Sequence, residues 1–356
     1  MSLKKIKIRP LILIIFLLVG IMIFSGCDLI KKSSTTNDGG IYKTTDFGEN
    51  WTQKVFVANL EDGTKTIGNV DTSFIIFDPV DEDTIYLVTQ GQGVYKTTDS
   101  AEQWVQTTLS SGTYRSLTID TRNNDVIYVT DGKYISKTID NMKTWNQIYI
   151  ENRPNQSILS VIADYFSPNI IYAATTSGLI KSYDYGNTWE LLSWDNTVIR
   201  NLYQSYVSRN TFYMLTANGI YKSTDAAENW IKVSEQLTEF PKGDQISWMF
   251  FDPRNEYMIL GTGYGIIRSV DGGNSWQSIP TLFELDRITI KPVVYNPNDT
   301  NDYIFAVGNV LHKSDDAGQT WKTIKSIPTS RIVNYIIADP YHDDVIYAGT
   351  YLPKEK

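Results

Sequence analysis

The segment Thr44-Thr45-Asp46-Phe47-Gly48-Glu49-Asn50-Trp51 returns six more times along this 356-residue chain. Every copy keeps Ser or Thr, one residue, Asp, and a Trp five residues after the Asp. The aspartates are Asp46, Asp99, Asp140, Asp184, Asp225, Asp271 and Asp316, and the tryptophans are Trp51, Trp104, Trp145, Trp189, Trp230, Trp276 and Trp321. Intervals of 41 to 53 residues between successive aspartates suit one four-stranded blade of a β-propeller. A unit this short buries its apolar face only by stacking on copies of itself, so the repeat sets the architecture.

A second repeat runs out of phase with the first. Phe77-Asp78-Pro79 leads to Thr84-Ile85-Tyr86-Leu87, Ile119-Asp120 to Val126-Ile127-Tyr128-Val129, Phe251-Asp252-Pro253 to Met258-Ile259-Leu260, and Ala338-Asp339-Pro340 to Val345-Ile346-Tyr347. Variants at 164–172, 205–213 and 296–305 complete the set. Each copy reads as strand, polar turn, and β-branched or aromatic strand. In each blade, strand A ends at this Asp or its counterpart, strand B carries Ile-Tyr, strand C carries Ile-Tyr-Lys-Ser/Thr, and strand D starts at the repeat Trp. The chain opens with strands C and D at Gly40-Ile41-Tyr42-Lys43 and finishes with strands A and B at Ile346-Tyr347. The expected fold is therefore all-β, a seven-bladed β-propeller closed by those N-terminal and C-terminal strands in one shared blade, which leaves no free sheet edge at the junction.

These residues resemble the Asp-box, or BNR, repeat Ser-x-Asp-x-Gly-x-Thr-Trp of sialidases, sortilin-type receptors, xyloglucanases and photosystem II assembly-factor-like proteins. The resemblance covers about Gly40 to Thr350. It implies that the Asp turn between strands C and D serves folding, with the Trp packed into its blade and ligands taken on the opposite face. Gly48, Gly186, Gly273 and Gly318 keep the pattern and supply positive φ. Ala101, Met142 and Ala227 depart from it, so three strained or reshaped turns are expected.

Residues 1–26 read as a lipoprotein signal peptide. Lys4, Lys5, Lys7 and Arg9 precede the apolar run from Leu11 to Phe24, which ends at Ser25-Gly26-Cys27. About 14 apolar residues fall short of the roughly 20 needed to span a bilayer, and Phe24-Ser25-Gly26-Cys27 resembles the lipobox. Cys27 is the only cysteine, so no intrachain disulfide forms and lipidation gives the thiol a role. Residues 27–39 form the lipidated Cys and a flexible tether, and 40–356 the propeller. The expected location is the extracytoplasmic face of the cell membrane, held by the lipid anchor. Asp28 favours retention there if the cell has a second membrane. Removing Lys4, Lys5, Lys7 and Arg9 leaves 28 Lys plus Arg against 40 Asp plus Glu, a net of about −12, which argues against a nucleic acid partner.

Function is sought in what the repeats do not explain. Loops from strand D to the next strand A gather on the face opposite the Asp turns. Five residues before the end of strand A stand Ser73, Arg115, Leu159, Arg200, Ser247, Lys291 and Asn334. Arg115, Arg200 and Lys291 suggest a cationic mouth for an anionic group, unless acids such as Asp195, Glu284 or Asp286 pair with them. Trp194 and Trp248 fall outside the repeat, near the same mouth, as a candidate platform for a protein or glycan ligand or as ordinary packing. The long loops Phe56 to Asp71 and Ser234 to Gln245 overhang this face.

An enzyme is the weaker reading. A sialidase-like enzyme carries an arginine triad that Arg115, Arg200 and Lys291 match only in part, and a xyloglucanase-like one places its catalytic aspartates between two propellers where this chain has one. Asp62, Asp71, Asp195, Asp244 and Asp286 all fall in loops of the ligand face, and nothing in the sequence selects a catalytic pair among them. His312 and His342 lack metal-ligand spacing. Asp81-Glu82-Asp83 and Asp343-Asp344 read as solvated turn acids. Neither cofactor nor metal is expected. The leading expectation is a surface-tethered, non-catalytic binding or assembly scaffold for extracytoplasmic or membrane-associated partners, with a glycan-binding or glycoside-hydrolysing lipoprotein as the alternative.

Overall fold

A computed structural model describes residues 37–58, 66–192, 194, 197–281, 292–324 and 327–353. They form seven antiparallel sheets arranged as a β-propeller. Blade one runs Thr72–Phe77, Ile85–Gly91, Val94–Thr97 and Val105–Gln106 as strands A to D. Strand A of blades two to six is Ser116–Ile119, Ile158–Ala163, Ile199–Gln204, Ile246–Asp252 and Val293–Asn296. In blade seven, Ile332–Ala338 and Ile346–Tyr351 from the C-terminal end pair with Ile41–Thr44 and Thr52–Gln53 from the N-terminal end. The register Ile41↔Gly349 through Thr44↔Ile346 joins the two ends of the chain.

Strands B such as Ile171–Thr175 and Phe212–Thr216 are buried at every position. Both faces of a blade are covered by neighbours, so these strands read as continuous apolar runs rather than as alternations. The antiparallel order puts the A-to-B and C-to-D turns at one end of the ring, here called the lower face. The B-to-C turns and D-to-A loops lie at the other, the upper face. Among the described residues, the one helical stretch is a 3-10 turn at Glu235–Glu239 in an upper loop.

The seven lower turns share one hydrogen-bond scheme. In the first, Thr44 Oγ1 donates to Asp46 Oδ1 at 2.6 Å and accepts the Gly48 N–H, while Asp46 accepts the Asn50 N–H at 2.9 Å. Two successive residues take positive φ, Phe47 at 46° and Gly48 at 93°. At the three positions without glycine the turn is not reshaped. Ala101, Met142 and Ala227 hold φ of 74°, 67° and 72°, and their N–H groups reach the Thr97, Thr138 and Ser223 hydroxyls as glycine does elsewhere. The departure costs backbone strain of about 1 kcal/mol per site instead.

The strand C cation of each repeat ties neighbouring blades, and in several repeats so does the Trp, beyond the expected packing into its own blade; Trp230 Nε1 instead donates to Ala227 O of its own turn. Trp104 Nε1 donates back to Lys54 O of blade seven, Trp276 to Val233 O and Trp321 to Pro280 O, each on or beside the outer strand of the preceding blade. The strand C cation reaches forward. Lys43 donates to Ser100 O, Lys96 to Asn141 Oδ1, Lys137 to Tyr185 O and Lys181 to Ala226 O, each in the next blade's turn. Lys222 reaches Glu256, Arg268 reaches Thr300 O and Lys313 reaches Glu49, which closes the circuit. Five of these lysines also lie 5.1–5.5 Å from the ring of a strand B tyrosine, as Lys181 does over Tyr172. Burial holds the Lys43, Lys96 and Lys137 ammonium groups below the ordinary lysine pKa.

Candidate binding face

The upper ends of the inner strands carry β-bulges. The register against strand B shifts around Ser73, Leu159, Arg200, Ser247 and Asn334, the positions singled out by sequence alignment. A bulge re-aims a side chain without disturbing the rest of a ladder. Arg200 is exposed there and lines a groove of about 520 Å³ with Thr216, Asp244, Gln245, Ser247 and Thr262, between blades four and five. Arg115 is also exposed, and its guanidinium lies against Gly132, where an added Cβ would meet Nε at 2.5 Å. It lines a groove of about 410 Å³ between blades two and three with Asp131, Lys133, Glu151 and Arg153. The two grooves have no lining residue in common, so Arg115 and Arg200 lie in separate grooves rather than around one mouth. Lys291, Asp62, Asp195, Glu284 and Asp286 lie outside the described residues, as does Cys27.

The axis of the ring is narrowed from within. The Trp248 ring of blade five meets Tyr335 of blade seven edge-on, centroids 5.7 Å apart, across the inner strand of blade six. At the lower end Tyr165 stacks on Tyr206 at 4.1 Å, and Arg254 of blade five donates to Pro340 O of blade seven. Trp248 Nε1 also donates to Val293 O. Trp194 packs edge-on to Tyr221 and Trp230, and its Nε1 donates to Thr197 O. Both indoles are half-buried and held by these ring contacts and hydrogen bonds.

The carboxylates divide by partner. Glu151 is buried and gripped by Arg153 at 2.6 Å; that hydrogen bond holds its carboxyl below the usual glutamate range. Asp71 accepts from Arg331 at 2.8 Å and from the Leu352 N–H. Asp244 alone lines the Arg200 groove as a carboxylate among the described residues. Among those residues, the grooves therefore assemble no pair of unengaged carboxylates of the kind glycoside hydrolysis uses.

Arg331 is the upper-face residue that sequence alignment missed. It is 4% exposed, donates to Val70 O, Asn69 O and Asp71, and lies 3.8 Å from Asp38. It immediately precedes strand A of blade seven, where alignment counted back from the strand end stops at Asn334. Its only sequence signal is an arginine at the seam between the two chain ends.

No family model matches the chain. A curated xyloglucanase from Paenibacillus sp. is 29% identical over 110 residues, covering 27% of this chain and 11% of that protein. Among solved structures, YCF48 bound to a D1 peptide superposes with a TM-score of 0.59 at 16% identity, over 84% of this chain and 98% of that one. YCF48 from Cyanidioschyzon merolae gives 0.60 at 15%, over 79% and 95%. The GH74 xyloglucanase from Xanthomonas campestris gives 0.61 at 16%, over 79% of this chain and 51% of that one. At these identities the likeness is one of fold, the propeller described above. The chain spans nearly the whole of the YCF48 structures, about half of the xyloglucanase structure and about a tenth of the curated xyloglucanase.

Proposed function

We propose that this chain is an Asp-box propeller lipoprotein, anchored through Cys27 on the extracytoplasmic face of the cell membrane, that binds a peptide segment of a partner protein without catalysis. The observation that carries this reading is the pair of exposed arginines, Arg115 and Arg200, each raised at the upper end of an inner strand into its own groove. An exposed guanidinium at a concave site offers a planar donor fork to a carboxylate. The likeness to YCF48, solved with a D1 peptide and matched over 98% of its length, supports a peptide as the ligand. The test is crosslinking from native membranes with the wild type beside an Arg115→Ala, Arg200→Ala, Lys291→Ala triple variant. A protein partner recovered by the wild type and lost by the variant is the expected result; equal recovery from both overturns the reading.

The alternative is a glycan-binding or glycoside-hydrolysing lipoprotein. The xyloglucanase match over 110 residues is what favours it. It requires retention on, or cleavage of, xyloglucan or another polysaccharide, and background signal across such a panel removes it.

A further inference from the structure

The chain enters the propeller from the upper face, and the structure fixes that entry point. Asn37 O accepts Gln53 Nε2 at 2.7 Å, Gly39 N–H donates to Gly68 O at 2.7 Å, and Tyr42 OH donates to Asp38 O at 2.8 Å. The Asp38 carboxylate accepts both the N–H and the hydroxyl of Ser330, at 2.7 and 2.8 Å. Asn37, the first described residue, therefore lies at the same face as the two grooves.

Resting on the proposal that Cys27 carries the lipid, the geometry points to an upper face held against the bilayer, with an extracytoplasmic segment of an integral membrane protein as the occupant of its grooves. Residues 28–36 separate Cys27 from Asn37. At 3.3–3.6 Å per residue this stretch reaches at most about 35 Å. Turning the lower face to the membrane would take the tether down a blade roughly 20 Å tall and around its outer strand, consuming nearly all of that reach.

Charge favours the same orientation independently of length. The lower face carries the turn aspartates, the exposed run Asp81-Glu82-Asp83, and Asp343 and Asp344. The upper face balances exposed Arg115, Lys133, Arg200 and Lys242 with exposed Asp131, Glu235, Glu239 and Asp244, whereas on the lower face the exposed Arg122, Lys143 and Arg209 are outnumbered by acids. An anionic bilayer therefore repels the lower face more strongly than the upper over about one Debye length. A partner reaching the grooves must then offer its segment within the span of the tether, close to the headgroups.

The test uses the full lipidated chain in vesicles of mixed anionic and zwitterionic lipid. With Cys27 acylated, a second cysteine is the only free thiol, so Asn218→Cys and Thr224→Cys each accept one donor dye. The two sites stand at the upper and lower ends of one strand, Gly219–Ser223 of blade four. Energy transfer to a headgroup acceptor is expected to be at least about twofold greater from position 218 than from 224. Inserting about 20 Gly/Ser residues after Ser34 is expected to bring the ratio toward one. Equal or reversed transfer from protein that floats with the vesicles overturns the orientation while leaving the anchor intact. Protein that fails to float removes the anchor, and the orientation with it.

Discussion

The two faces of this propeller are built on opposite principles. On the lower face seven turns repeat one scheme, down to the Ser or Thr hydroxyl that caps the fifth residue's N–H and the aspartate that spans the turn. On the upper face each blade differs: one groove holds Arg115 beside Arg153 and the buried Glu151 that it grips, another holds Arg200 beside Asp244, and a third region is locked by Arg331. Repetition marks what every blade needs in order to fold. Divergence marks positions that the fold does not constrain, and there a binding role has room to reside.

The contrast can be tested from its strongest point downward. Trp104 is fully buried and bonded to the preceding blade, so Trp104→Ala is expected to cost about 3–5 kcal/mol in denaturant unfolding; a comparable loss at Trp194 would erase the distinction. Acid acts on several of the lower turns. The Asp140 carboxyl is drawn to about 2, chiefly by the Thr144 hydroxyl, and Asp225 to about 2, chiefly by the Asn229 N–H. Their folded pKa values lie below the unfolded one near 4, so the stabilisation is complete above that value and drains away as pH falls toward about 2. Circular dichroism between pH 5 and 2 should show the midpoint of thermal unfolding falling through that window, and a flat profile would deny the turns their role.

Single turns come next in size. Ser223 is 1% exposed and its hydroxyl accepts the N–H groups of Asp225 and Ala227, so Ser223→Ala should destabilise by about 1–2 kcal/mol. Ala227→Gly should stabilise by about 0.5–1 kcal/mol by relieving a positive φ. Met142→Gly should destabilise, because the Met142 side chain is buried as well. On the upper face, Arg115→Ala and Arg200→Ala should each leave unfolding within about 0.5 kcal/mol of the parent. A larger change at either arginine would mean that it holds the fold together.

This division also explains what the sequence disclosed. Blade number, strand order and the lower turns were legible because each depends on residues a few positions apart and recurs seven times. The strand C cations were visible as Lys in Ile-Tyr-Lys-Ser/Thr, but their forward reach was not, since contact with the next blade spans some 45 residues, as from Lys96 to Asn141. Trp194 and Trp248 stood outside the repeat, which left a ligand platform and ordinary packing both open; their contacts with Tyr221, Trp230 and Tyr335 join residues too far apart in the chain to be read there. Arg331 eluded alignment for a related reason: its partners, Asp38, Asn69 and Asp71, come from nearly the other end of the chain.

The shared blade has a mechanical consequence. Tension applied at Asn37 runs along the strand Ile41–Thr44 toward the upper face, parallel to its own axis. The four registered pairs with Ile346–Gly349 are then loaded in shear and must give way together, rather than opening one by one like a zipper. A ring tethered in this way transmits a pull from its anchor into the seam that closes it, and it resists that pull before any blade comes free.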